Sequence, residues 1–157
     1  VDRVLGSLHS LSKDGRLYGV GHLLWEDADG TMRRYLGELV DMIESSDVFQ
    51  VLAHADFPRR YWPGGSHTYV EKTYEEEYRA VFRALAGTGR AFEVNTSSPL
   101  ASVDQVRWFH EEGGEAVSFG SDAHQPTAVG QQFDLAVDVV EAAGFRPGRD
   151  RFDFWRR

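Results

Sequence analysis

Ala116-Val117-Ser118-Phe119-Gly120 is an apolar run of strand length, and Ser121, Asp122, Ala123 and His124 follow it directly. Inside a buried strand, Asp and His are costly. The loop just past its end can aim both into a shared cavity. Carboxylate oxygen with imidazole nitrogen is a ligand mix that suits zinc, manganese or iron. Alone, the triplet reads as a polar turn in which Asp122 caps the next helix and His124 is incidental, since so short a motif recurs by chance. Here it has counterparts. His9 ends the run from Val4, His54 and Asp56 follow the run from Val48 to Ala53, and Glu93 and Asn95 close a third run from Ala91. Arg59 and Arg60 come soon after His54, where a guanidinium can grip a phosphate with two hydrogen bonds or simply be a solvated loop cation.

Four elements of one kind must position these groups. Between the strand-like runs the apolar residues fall at helical spacing: Met32, Leu36, Leu39, Val40 and Ile43; then Tyr74, Tyr78, Val81, Phe82 and Leu85. Further helices are expected over about 102–112 and 128–143, and the segment from Ser10 to Gly30 reads as a Gly/Asp-rich loop. The tail, with Phe152, Phe154 and Trp155, is expected to pack back on the body. Alternation of strand and helix predicts an α/β fold of four β-α units with a parallel sheet and right-handed crossovers. Four units make about half of an eight-unit barrel. In a parallel sheet the strand ends share one edge, so three histidines and their carboxylates converge there, as enzyme sites do in such folds. That convergence predicts a metal site. His22, His67 and His110 lie off the pattern and are expected to be ordinary surface residues.

Composition narrows the function classes. The 157 residues are one domain's worth of chain, and a 41% apolar and 13% aromatic content supports a packed core. A net charge of −8 argues against a nucleic-acid backbone as main partner. Without cysteine there is no disulfide, thiolate ligand or cysteine nucleophile. No apolar run approaches the ~20 residues of a membrane span, so a cytoplasmic protein with no membrane partner is the expectation. A glycine-rich phosphate loop is missing, which removes support for a nucleotide-binding fold.

Gly6-Ser7-Leu8-His9, Val51-Leu52-Ala53-His54-Ala55-Asp56, Phe92-Glu93-Val94-Asn95-Thr96, and Phe119-Gly120-Ser121-Asp122-Ala123-His124 with Val129-Gly130 resemble the PHP (polymerase and histidinol phosphatase) family. The resemblance is to its stand-alone histidinol-phosphatase-like members. It implies a distorted (β/α)7 TIM-like barrel with two or three divalent metal ions (zinc, manganese or iron) at the strand C-termini. By motif, His9, His54, Asp122 and His124 match metal ligands there. Asp122 and His124 are also the expected catalytic pair, with His124 a candidate proton donor to the leaving group. Asp56, Glu93 and Asn95 are expected just behind the ligands, and Arg59 and Arg60 against the substrate phosphate.

The family pattern opens with a His-x-His motif and further ligands that are not in this chain. The chain therefore resembles the C-terminal part of a family member: one PHP-like domain over 1–157, without its N-terminal strands and ligands. Association with that missing part or with a second copy is expected. The implied activity is hydrolysis of a small phosphomonoester, histidinol phosphate among the candidates, by metal-activated water. Two other readings stand beside it: an amidohydrolase-like metal hydrolase, and an inactive fragment or non-catalytic module.

Overall fold

A computed structural model describes residues 2–65, 67–97 and 99–157. In chain order the elements are β1 (Leu5–Gly6), β2 (Ser10–Lys13), β3 (Arg16–Gly19), α1 (Val20–Leu24), α2 (Ala28–Ser45), β4 (Val51–Leu52), α3 (Glu75–Gly87), β5 (Ala91–Asn95), α4 (Val103–Glu111), β6 (Ala116–Gly120), α5 (Phe133–Ala142) and β7 (Trp155–Arg156). Short 3-10 turns occupy Phe57–Tyr61, Glu71–Tyr74 and Pro126–Ala128.

The main sheet runs β1-β4-β5-β6-β7. Its first three pairings are parallel, with Leu5 opposite Val51, Leu52 opposite Phe92, and Glu93 opposite Ser118. This is the expected β-α succession. The one antiparallel member is β7, where Trp155 pairs with Val117. The tail thus returns to the sheet through Trp155 and the half-buried Phe154, but Phe152 stays 70% exposed, contrary to expectation.

Three local expectations are corrected. The segment after His9 is an antiparallel hairpin, β2 with β3, followed by the short α1. Asp14 and Gly15, both at positive φ, make its turn. The α2 helix starts at Ala28, inside the segment to Gly30 expected as a loop, because Asp27 caps it, accepting a hydrogen bond from the Gly30 N–H at 2.9 Å. The last helix begins only at Phe133, since residues 126–128 form a 3-10 turn and Gln132 adopts a left-handed conformation.

The core lies between the sheet and the helices. Met32, Tyr35, Leu36, Leu39 and Ile43 of α2 are buried against Tyr78, Val81, Phe82 and Leu85 of α3. The ring of Phe92 sits 5.0 Å from Phe82 and 5.7 Å from Phe109, tying α3 and α4 to β5. Behind β1, a Cβ at Gly6 would come within 2.6 Å of the Phe49 ring, so only glycine lets that strand pack there. Among the described residues no helix is long and apolar enough to cross a membrane.

Candidate metal and phosphate site

The parallel strands place their C-terminal ends together, and the polar residues follow. His9 comes three residues after β1, His54 two after β4, and Asp122 two after β6, while Glu93 and Asn95 lie at the end of β5. The Nε2 atoms of His9 and His54 face each other at 3.5 Å. Their rings are near parallel, with centroids 5.1 Å apart, and His9 also stacks on Phe57 at 4.3 Å.

His54 is held in an unusual posture. Its φ is +28°, a region a side-chain-bearing residue occupies only under constraint. The constraint is Glu93, whose Oε2 accepts the His54 backbone N–H at 3.0 Å and the Asn95 amide at 3.2 Å. From Asn95 the network continues: its Oδ1 accepts from Arg60 Nη2 at 3.0 Å, and Arg60 Nη1 donates to Asp122 Oδ2 at 2.7 Å. His54, Glu93, Asn95, Arg60 and Asp122 are therefore one hydrogen-bonded chain across three loops. Asp122 is itself at positive φ, +48°.

Electrostatics make the pair suited to metal. Burial, then the nearby Arg60 charge and His9, push the His54 imidazole down to about 4, so it is neutral with a lone pair available at neutral pH. Burial likewise raises Glu93 above the usual carboxylate range, an effect its hydrogen bonds to Asn95 and the His54 N–H partly offset.

Not every expected residue joins this group. His124 has an 87% exposed ring. Its Nδ1 lies 2.8 Å from the Asp122 carbonyl oxygen, which holds it back along its own loop. Arg59 points elsewhere: it donates to the Leu100 carbonyl at 3.4 Å and lies 3.7 Å from Asp56 and 3.9 Å from Glu71. Asp56 is buried, its carboxyl pushed up to about 6 by that burial, and it faces Arg59 rather than a histidine ring. Of the two arginines, the structure brings only Arg60 to the histidines.

The donors fit a divalent cation in kind and approach, since two imidazole Nε2 atoms converge beside a carboxylate. They do not complete its shell: among the described residues no group of three or more His, Asp or Glu side chains is gathered closely enough to hold an ion.

Sequence reasoning missed the aromatic wall. Phe57, Tyr61, Trp62 and Trp25 join His9 around a cavity of about 690 Å³. The signal was the aromatic-rich stretch after Asp56. The hairpin and α1 that bring Trp25 there carried no clear pattern. His22, off the pattern in sequence, also borders this cavity. His110 is half-buried edge-on against Phe145 at 5.3 Å, which corrects the expectation of an ordinary surface residue.

No family model matches the chain. A Deinococcus radiodurans protein named "Probable histidinol-phosphatase" is 32% identical over 154 residues, which is 92% of this chain and 56% of that protein. The histidinol-phosphatase of Lactococcus lactis is 24% identical over 150 residues, with the same two shares. The chain is homologous to part of a histidinol phosphatase. Its fold is also theirs. The crystal structure of the Lactococcus lactis histidinol phosphate phosphatase, complexed with zinc, L-histidinol and phosphate, superposes with a TM-score of 0.74 at 21% identity, covering 92% of this chain and 57% of that one. The chain thus spans a little over half the length of the histidinol phosphatases it matches, as a partial barrel would.

Proposed function

We propose that this chain carries part of the active site of a metal-dependent phosphomonoesterase, of histidinol-phosphatase type, within a PHP-like domain. The observation that carries the reading is the approach of His9 Nε2 and His54 Nε2 to 3.5 Å beside the Arg60–Asp122 pair. The zinc and phosphate bound by the Lactococcus lactis relative support it.

His9 and His54 would hold one divalent cation, with Asp122 as the adjoining carboxylate. A cation there would supply polarisation of the phosphate oxygens and an acidified water. The chain's own groups do the rest. Arg60 offers two parallel N–H donors and would turn them from Asp122 and Asn95 onto the phosphoryl oxygens. Glu93 fixes the His54 backbone so that its ring stays aimed at His9. A full complement of two or three ions would need ligands beyond the described residues.

The amidohydrolase reading loses ground because it calls for a lysine ligand. Lys13 is paired with Glu26 and Lys72 with Glu75, and neither ends one of the parallel strands. The test is zinc binding by calorimetry together with phosphate release from histidinol phosphate, in the chain and in His54→Asn. Zinc affinity lost in the variant supports the reading. Unchanged affinity overturns it.

A further inference from the structure

A separate hollow lies between β6, the start of α5 and the returning tail, and it contains none of the groups assigned to metal or phosphate. Phe119, Phe133, Phe152 and Trp155 wall it, and Arg3 and Arg151 stand among them. Its volume of about 360 Å³ is at the lower end of small-molecule sites.

The rings are held in place by the fold. The Trp155 backbone is paired with Val117 in the sheet. The Phe119 ring meets Trp155 edge-on at 5.4 Å and lies 5.8 Å from Phe133. Phe152 is fixed through its backbone: its N–H donates to Asp150 Oδ1 at 2.8 Å, and its carbonyl accepts from Arg3. Its ring is nonetheless 70% exposed. An aromatic ring left in water on a fixed backbone, beside other rings, marks a contact surface with little ordering left to do on binding.

The local charge runs against that of the chain. The whole chain carries −8, yet the lining of this hollow has two arginines and, among the described residues, a single carboxylate. That carboxylate, Asp153, is already bonded to Arg149 and Arg156. Arg3 and Arg151 pair with no carboxylate among the described residues. Arg3 lies over the Phe154 ring at 3.8 Å, and Arg151 over Phe152 at 4.6 Å. A guanidinium stacked on a ring keeps in-plane N–H donors for the two oxygens of a carboxylate.

We propose that this hollow binds a small aromatic carboxylate, with its ring between Phe152 and the Phe119–Trp155 wall and its carboxylate on Arg151 and Arg3. A neutral ring forgoes the arginines and an anion without a ring forgoes the walls, so the two features together select the class. The site is independent of the phosphatase reading.

The experiment titrates the chain by calorimetry with benzoate, benzamide and acetate, which offer ring and charge, ring alone and charge alone. Benzoate is expected to bind at least about tenfold more tightly than either. Arg151→Gln should bring benzoate within about twofold of benzamide, and Phe152→Ala should bring it within about twofold of acetate. Both side chains are exposed, so neither change touches the core. Arg60→Ala, at the other site, should leave benzoate affinity within about twofold of the parent's. Equal binding of the three probes, binding of none, or a benzoate preference that survives both Arg151→Gln and Phe152→Ala overturns the proposal. Loss of benzoate binding in Arg60→Ala alone would put the anion at the phosphate site and overturn it as well. So would a concentration-dependent dimer, seen by sedimentation, that Phe152→Ala dissolves, since a second copy would then cover the hollow.

Discussion

Glu93 lies directly against Gly120: a methyl group on that glycine would fall within the van der Waals radius of Glu93 Oε1. The two residues sit on neighbouring parallel strands, and the missing side chain of one makes room for the carboxylate that holds His54. Gly120→Ala should therefore displace Glu93 and free the His54 backbone from its left-handed posture. Zinc affinity is expected to fall about 10-fold to 100-fold, as when a group supporting a ligand is lost. Calorimetric titration checks this; an affinity within twofold of the parent's would show that Glu93 does not position the ligand.

Glu93→Gln separates geometry from charge. The amide oxygen can still accept the His54 N–H, while the negative charge beside Asp122 disappears. A buried carboxylate is a stability burden, so the variant is expected to melt no lower than the parent. Circular dichroism melts of the two proteins decide it.

Arg60 is 17% exposed in its side chain and bonded to Asp122 and Asn95. Charge-assisted hydrogen bonds of this kind contribute about 1.5–3 kcal/mol. Arg60→Ala is expected to weaken binding of inorganic phosphate by about 10-fold to 100-fold, and Arg60→Lys to restore only part of it, because a lysine cannot donate in parallel. Arg59→Ala should leave phosphate affinity within about twofold, yet lower the melting temperature through its lost contacts to Asp56 and Glu71.

Phe92 joins β5 to α3 and α4 and is 1% exposed. Phe92→Ala is expected to destabilise the fold by about 3–5 kcal/mol. Urea denaturation reads this directly from the midpoint at constant slope.

The return of the tail to the sheet depends on pH through Asp153. Its carboxylate accepts from Arg156 at 2.8 Å and from Arg149 at 3.0 Å, and these bonds, Arg156 first, hold it well below the usual carboxylate range. A carboxyl more acidic in the folded chain than in the unfolded one stabilises fully above about pH 4 and loses that contribution as pH falls further. The melting temperature of Asp153→Asn should lie below the parent's at pH 7, and the gap should close progressively below pH 4. A gap that is constant with pH would show that the bonds act through shape alone.

Much of the fold was legible because the periodicities are strong. Strands of continuous apolar residues alternate with amphipathic helices, and that alternation alone requires parallel pairing and a common edge for His9, His54, Glu93, Asn95 and Asp122. The residues from Ser10 to Leu24 were not legible as a hairpin and helix, since Leu17 is exposed and no clean alternation marks the pair. The last helix was drawn too long because apolar residues such as Val129 suggest periodicity, whereas Gln132 breaks the backbone there.

What the sequence determined by itself was which residue types arrive at the strand ends, since strand order and direction follow from local pattern. Which of them meet was decided only by the tertiary structure. Arg59 and Arg60 are adjacent and chemically identical, yet consecutive residues of a tight 3-10 turn point in different directions. One was drawn toward the buried Asp56 and the partly buried Glu71, and the other toward Asp122. His54 and His124 both follow strands, but the buried Glu93 carboxylate grips the backbone of the first, while the second hydrogen-bonds to its own loop and remains in solvent. Those choices rest on burial and on partners distant in the chain, which no local spacing encodes.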